Sequence, residues 1–363
     1  MLNQTLNLIR PTMPRSLLLN LTTYCNALCG FCIVYDSLNR KELNMTDEQI
    51  FTTIDKAAAD GATEIGYSGG EPTVHPRMIE IIRYARDKGF TYQSMNTNGI
   101  KFKKEAYCRD IIDAGLNSID FSIHGHTDEI HDGLVARKGA LAAIRKGCGF
   151  LRDLKKEYRF HLSATVVVTR ENHKNLIDVC RLLTELGMDN KRIKYAYEGN
   201  LRHEAIINHV MPYQEVVPSV KEAIDYLVTT HRGFHITHIP LCLMGEYAAF
   251  SRDFERRNTL MVFKKEAEVG DEAHHFRQDA DECTRCVLSN LCTRLDGAYE
   301  GYHGRPGLVA FTSEEAVDEL FARAEQRFPE AADLVRRTQG LYMRNREAMN
   351  PDGVAVEHPS AAS

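Results

Sequence analysis

Cys25, Cys29 and Cys32 stand in a C-x3-C-x2-C spacing within Tyr24-Cys25-Asn26-Ala27-Leu28-Cys29-Gly30-Phe31-Cys32. Thiols this close in one loop can turn towards a single metal centre. They provide three of the four thiolates that a 4Fe-4S cluster ordinarily takes, which leaves one iron open to a substrate or cofactor. The same spacing allows a zinc site completed by His or Asp, or a ferredoxin-like cluster completed by a distant Cys. A second group, Cys283-x2-Cys286-x5-Cys292, follows far downstream, with Cys242 of Pro240-Leu241-Cys242 ahead of it. That spacing permits a four-cysteine zinc site. Cys108, Cys148 and Cys180 each lie three or four residues from Ile111, Ile144, Leu176 or Leu183, as small buried hydrophobes in helices do. Among the other reactive groups, His124, His126 and His131 cluster in one segment, and Tyr197 and Glu198 are comparable candidates. His124, Tyr197 and Glu198 are the candidate catalytic residues, although loop histidines are more often simply solvated.

The elements that position these residues follow from periodicity. Apolar runs predict strands over 16–22, 63–68, 90–95, 117–124, 160–169 and 192–197, each separated from the next by an amphipathic helix. Thr46 and Gln49 form a capping box for the first helix, Ile50, Ile54, Ala57 and Ala58 make its apolar face, and Gly61 stops it. Gly89 and Gly187 stop two later helices in the same way. Strands alternating with helices imply parallel pairing with right-handed crossovers, hence an α/β fold that is either an incomplete barrel or a doubly wound sheet. Motif placement favours the barrel. The cysteine loop follows strand one, Gly69-Gly70-Glu71-Pro72 strand two and Thr97-Asn98-Gly99 strand three, while His124, Asn172 and Glu198 follow strands four to six. All would gather where strand C-termini converge.

The expected organisation is an N-terminal segment over 1–15, a barrel over 16–200 and a connecting helical region over 201–239 with a helix at 213–231. A second cysteine region follows over 240–310, then helices over 311–350 and a disordered tail over 351–363. The charge run at 264–272 reads as a solvated helix face. With 363 residues, 43% of them hydrophobic, the chain can bury a full core. Its net charge of -5, with Lys and Arg scattered, leaves no electrostatic footprint for nucleic acid, which is disfavoured as a partner. The first residues show no basic leader before an apolar run, and no stretch reaches membrane-spanning length, so a cytoplasmic location is expected. There, ten cysteines point to metal binding rather than to disulfides.

The segment from Tyr24 to Cys32 resembles the signature loop of the radical S-adenosylmethionine superfamily, with Phe31 at its aromatic position. The resemblance extends to Gly69-Gly70-Glu71-Pro72 and Thr97-Asn98-Gly99, and so covers residues 16 to about 197. It implies a partial (βα)6 TIM-like barrel in which the methionine end of S-adenosylmethionine chelates the open iron. Gly69 and Gly70 would bring main-chain groups to the methionine ammonium. Glu71 would orient that ammonium or cap the helix started by Pro72. Thr97 and Asn98 suit a tight turn or ribose and carboxylate contacts, Ser122 is placed for the ribose, and Asn172 for the methionine end. The second group resembles the core of the C-terminal SPASM/twitch extensions. It departs from the longer pattern in having Asp296 where a further Cys would stand and Cys242 alone upstream. The resemblance implies one auxiliary 4Fe-4S cluster on Cys242, Cys283, Cys286 and Cys292, with zinc as the alternative.

The implied activity is reductive cleavage of S-adenosylmethionine, with an electron from flavodoxin, ferredoxin or a similar donor, to a 5'-deoxyadenosyl radical that abstracts hydrogen from the substrate. The auxiliary cluster would accept an electron or bind substrate. Relatives with such extensions often modify ribosomally made peptides through an N-terminal recognition module. The cluster loop here begins at residue 25, so the expected substrate is a small biosynthetic intermediate, with a peptide or protein side chain as runner-up. A non-catalytic iron-sulfur electron carrier is the rival from another class, and it leaves Gly69-Gly70-Glu71-Pro72 unexplained.

Overall fold

The computed structural model describes residues 16–32, 34–196, 208–230, 233–255, 259–262, 267–270, 277–278, 280–296 and 299–349. Its core alternates β1 (Ser16–Thr22), α1 (Asp47–Ala59), β2 (Glu64–Gly69), α2 (Met78–Asp87), β3 (Tyr92–Thr97), α3 (Glu105–Ala114) and β4 (Ser118–Ser122). It continues with α4 (Asp128–Leu134), α5 (Ala140–Leu154), β5 (His161–Val168), α6 (Leu176–Glu185) and β6 (Asn190–Tyr195). The expected strands are all present, shifted by one or two residues where the flanking residues belong to turns. The capping box at Thr46 and Gln49 forms, and Gly61, Gly89 and Gly187 take the positive φ values of 87°, 100° and 82° that favour glycine after a helix.

The chain then departs from expectation. After α7 (Tyr213–Val228) comes a further strand, β7 (Gly233–Thr237), parallel to β6, so the region assigned to helices alone extends the sheet. β8 (Thr259–Val262) joins the opposite edge, parallel to β1, and β9 (Ala267–Gly270) pairs antiparallel to it. Part of the charge run read as a helix face is therefore an edge strand. The strand order is β7-β6-β5-β4-β3-β2-β1-β8-β9. The seven strands β1 to β7 are parallel and in chain order, making an α/β fold of the partial-barrel kind. Two helices, α8 (Glu314–Arg327) and α9 (Ala332–Met349), close the described chain.

Alternation along the strands separates two environments. Leu17, Leu19 and Leu21 of β1 are fully buried in the same core as Ile50 and Ile54 of α1. Ser16, Leu18 and Asn20 take the other face, towards the barrel lumen. Small and polar residues recur there, among them Gly66, Ser94, Asp120, Ser163 and Arg192, lining a cavity of about 560 Å³. The first residues of several strands and Leu334, Arg337 and Thr338 of α9 line it too, which puts α9 beside the strand N-termini. Cys108, Cys148 and Cys180 are fully buried, as their spacing suggests. Among the described residues no helix is long and apolar enough to cross a membrane.

Candidate functional site

The cysteine loop leaves the end of β1 and is anchored by backbone on two sides. The β1–β2 ladder continues past the strands, where Gly70 N–H donates to the Thr22 carbonyl (2.6 Å) and Glu71 N–H to the Tyr24 carbonyl (2.7 Å). A Cβ at Gly69 would collide with the Thr22 carbonyl, and one at Gly70 with the carbonyls of Thr23 and Tyr24. The two glycines thus let strand two approach the cysteine loop, a role separate from any contact with a ligand. On the other side, Leu28 and Gly30 N–H groups donate to the carbonyls of Val135 (3.0 Å) and Leu134 (3.3 Å). Cys25 N–H donates to Asn39 Oδ1 (3.2 Å), and Asn39 itself sits at φ 59°.

Ala27, Ile100, Val135 and Ala140 form a buried apolar collar against which Cys25 and Cys29 pack. Burial comes first among the causes that raise these thiols. It pushes Cys29 up to about 12, helped by the neighbouring charges of Cys32 and Cys25, and Cys32 up to about 11. Three neighbouring, half-buried thiols form a donor set that ionises together only when a metal centre supplies positive charge. The residues present therefore fit a cluster held by three cysteines.

Behind the loop, Glu71 is buried and saturated. It accepts from Thr73 N–H (3.0 Å) and Thr73 Oγ1 (2.6 Å), from Thr97 Oγ1 (2.7 Å), and from Asn98 N–H (2.7 Å). The capping alternative for Glu71 matches these bonds, which also tie the strand-three turn to the strand-two loop. Burial raises its carboxyl, and these hydrogen bonds pull the other way. Gly99, at φ 74°, completes the turn with its N–H on Thr97 Oγ1 (3.0 Å). Asn98 reaches back to the cysteine loop, donating from Nδ2 to Asn26 Oδ1 (2.7 Å) and approaching Cys25 Sγ at 3.9 Å.

Phe31 packs edge-on to His124, with ring centroids 4.8 Å apart. His124 is buried, and its Nδ1 accepts the Val167 N–H (3.1 Å), so a neutral ring carries its proton on Nε2. Burial and the adjacent His131 hold it well below the usual histidine range. Asn172 is fully buried and occupied: Nδ2 donates to the carbonyls of His124 and Val167 (2.8 Å each), and Oδ1 accepts from Thr169 N–H (2.8 Å). Its side chain staples the strand-four and strand-five loops, where the sequence reading had it reach the methionine end. Ser122 is half-buried at the end of β4, on the same alternation as the lumen-facing Asp120. Tyr197 and Glu198 lie outside the described residues.

Two features were missed in the sequence. His209 lies over Gly30 so closely that a Cβ there would collide with its Nε2, and its Nδ1 meets Glu171 Oε1 at 2.7 Å. In the lumen, Thr165 Oγ1 donates to Asp120, Asp120 pairs with Arg192, and Arg192 Nε–H donates to His235. Inward-facing charges at alternate strand positions were the one trace of this arrangement in the sequence.

The second cysteine group also converges. Cys242, Cys283, Cys286 and Cys292 line one small cavity of about 20 Å³ together with Leu288, Leu308 and Phe311. Cys292 Sγ accepts from the N–H groups of Leu241 (3.4 Å) and Arg294 (3.3 Å), the latter residue at φ 57°. Burial pushes Cys242 up to about 11 and also raises Cys292. Asp296 pairs with Arg277 in a two-stranded ribbon. Among the described residues no three His, Cys, Asp or Glu side chains are arranged to hold a single metal ion.

Residues 19–183 match the profile of the radical SAM superfamily. The PqqA peptide cyclase of Bradyrhizobium diazoefficiens is 24% identical over 228 residues, which is 60% of this chain and 58% of that protein. The match thus spans little more than half of that relative's length. Streptococcus suis SuiB bound to S-adenosylmethionine is similar at TM-score 0.59 and 14% identity, over 78% of this chain and 72% of SuiB. Native anSMEcpe with bound AdoMet and peptide gives TM-score 0.61 at 14% identity, over 88% of this chain and 98% of that one. These structural likenesses bear on the fold.

Proposed function

Because this chain belongs to the radical SAM superfamily through residues 19–183, we propose that Cys25, Cys29 and Cys32 hold its 4Fe-4S cluster and that it modifies a peptide or protein side chain. The observation that carries the first part is the loop itself, three half-buried thiols in an apolar collar at the C-terminal mouth of a parallel sheet. When bound, the cluster and S-adenosylmethionine supply one-electron cleavage of a carbon–sulfur bond and a carbon-centred radical that takes a hydrogen atom from the substrate.

The chain's own residues hold and enclose these groups. Gly69 and Gly70 let strand two lock the cysteine loop, and their main chain serves the methionine ammonium. Glu71 is a positioning residue: its four hydrogen bonds fix Thr73, Thr97 and Asn98, and Asn98 is left to face the cluster loop. Ser122 is assigned to the ribose, whereas Asn172 acts through the His124 and Val167 carbonyls. Phe31, His124 and the collar exclude water from the reacting end. Cys242, Cys283, Cys286 and Cys292 are assigned an auxiliary 4Fe-4S cluster that takes up an electron, and an external flavodoxin- or ferredoxin-like donor serves the first. Reduced clusters and free thiols suit the cytoplasm.

A peptide replaces the small molecule expected from the sequence. The relatives support this: one is named a peptide cyclase, SuiB is described bound to its precursor peptide, and anSMEcpe with a peptide. The short stretch before Cys25 carries little weight against them, because recognition can lie elsewhere on a chain. A lumen of about 560 Å³ admits a side chain with its flanking backbone.

The test is anaerobic reconstitution, then dithionite, S-adenosylmethionine and candidate precursor peptides, with 5'-deoxyadenosine and peptide mass as readouts. Deoxyadenosine formation together with a hydrogen-loss or cross-link mass on a peptide is the expected result. Iron without deoxyadenosine would leave the electron-carrier reading, and deoxyadenosine with turnover of non-peptide substrates alone would remove the peptide.

A further inference from the structure

The cavity inside the barrel contains one side chain held as a recognition group is held. Arg192 projects from β6 into the lumen. Its Nε–H donates to His235 Nε2 on the neighbouring β7 (3.1 Å), and its Nη1 faces Asp120 Oδ2 of β4 across β5 (3.5 Å). Asp120 is itself braced, both of its oxygens lying 3.0 and 3.1 Å from Thr165 Oγ1. The guanidinium is thus fixed from two sides by residues on rigid strands. Among the described residues nothing takes its Nη2 hydrogens. A planar fork pinned at one edge and open at the other is the arrangement that receives a carboxylate through two parallel hydrogen bonds.

A second observation points the same way. Thr237 also lines this cavity, only 9% exposed, and its buried Oγ1 has no hydrogen-bond partner. Buried polar atoms without partners are costly in a folded protein, and a ligand that supplies acceptor oxygens removes that cost.

We propose that Arg192 is a specificity-determining residue of the lumen and that it receives the carboxylate of an aspartate or glutamate side chain in the substrate peptide. This rests on the peptide reading above. Asp120 and His235 act as positioning residues for Arg192, and Thr237 hydrogen-bonds the same carboxylate or the adjacent peptide group.

The probes are N-acetyl-glutamate amide, its isostere N-acetyl-glutamine amide, N-acetyl-lysine amide and glutarate, titrated against the full chain by ligand-observed NMR. The wild type should bind the glutamyl probe at least about fivefold more tightly than the glutaminyl one, as expected for a charge-assisted pair. Arg192→Gln should bring that ratio close to one, and Arg192→Lys should leave an intermediate ratio. Because both affinities are measured on one preparation, partial misfolding lowers binding-competent protein without altering the ratio. A wild-type ratio near one, a ratio unchanged in Arg192→Gln, or a lysyl preference that disappears in Asp120→Asn would overturn the assignment. If glutarate competes as well as the glutamyl probe and no peptide is modified, the carboxylate site stands and the peptide reading falls. If peptides are modified and the glutamyl preference is missing, the reverse holds.

Discussion

The two cysteine groups solve the same problem in opposite ways. Cys25, Cys29 and Cys32 come from one short loop, half-buried, with Asn98 reaching towards Cys25 and a polar lumen inside the barrel. Cys242 and the three cysteines from 283 to 292 come from distant segments and close on a cavity of about 20 Å³ whose other lining is largely apolar. Three thiols in an accessible loop leave a coordination position for chemistry, whereas four that enclose a small apolar space leave none. Their supports differ as well. The first loop depends on the Gly70 and Glu71 amides and on close backbone approach at Gly69 and Gly70, so its geometry is set by neighbouring strands. In the second, the Leu241 and Arg294 amides bond directly to the Cys292 sulfur. That difference is the ground on which reactivity is proposed for the first and electron storage or structure for the second.

The largest effect should separate the groups outright. Changing Cys25, Cys29 and Cys32 to Ala removes about four irons per chain and abolishes deoxyadenosine formation. Changing Cys242, Cys283, Cys286 and Cys292 to Ala also removes about four irons, yet lowers deoxyadenosine formation by less than about tenfold, roughly 1.4 kcal/mol of barrier. Iron counting with a deoxyadenosine assay on both variants checks this. Equal loss of cleavage in the two would break the division.

The next effect tests how the first loop is held. Gly70→Ala drives a methyl group into the carbonyls of Thr23 and Tyr24, backbone atoms that cannot swing aside, so the loop must move. A displacement near ~1 Å should cost roughly a hundredfold in cleavage. Gly61→Ala serves as the control: its φ is also positive, at 87°, but its Cβ meets nothing within 4 Å, so about 1 kcal/mol of stability is lost with cleavage unchanged. Glu71→Gln should do less. Its amide must point an N–H₂ at one of the donors on Thr73, Thr97 or Asn98, costing about 1–3 kcal/mol in a denaturant melt. A Gly70→Ala enzyme as active as wild type would mean that the loop is not positioned by strand two.

Much of this division was legible in the sequence, and the rest was hidden for identifiable reasons. Strands β1 to β6 announce themselves because Leu17, Leu19 and Leu21, like their counterparts in later strands, alternate against the helices, and glycines with positive φ punctuate the helix ends. β7 escaped because it is five residues long and its lumen-facing positions, His235 and Thr237, are polar. β9 escaped because it is four residues long and lies inside a charge run that reads as a solvated helix. Cysteine spacing marked out the two groups, and Cys242, Cys283, Cys286 and Cys292 line one cavity. Spacing could not show that Asn172 spends its side chain on the His124 carbonyl, or that His209 lies on Gly30, because those contacts link residues far apart in the chain.

The smallest effect concerns the support beneath the first loop and appears only on acidification. His131 is buried in α4, where its Nδ1 accepts the His124 N–H at 3.1 Å, and the next turn supplies the carbonyls of Leu134 and Val135 that hold Gly30 and Leu28. Burial depresses His131 to about 4, with Asp132 pulling the other way. An unfolded histidine titrates near 6.5, so the neutral ring's contribution is complete above that pH. It is lost as pH falls from about 6.5 towards 4, because the unfolded chain then binds the proton more readily. By pH 5 the loss amounts to about 2 kcal/mol. Protection factors at the Leu28 and Gly30 amides, exchange divided out by its intrinsic rate, should therefore fall between pH 7 and pH 5, and a His131→Gln variant should flatten part of that fall. Exchange at both amides that tracks the intrinsic rate alone would show that the cysteine loop does not depend on the neutral state of this histidine.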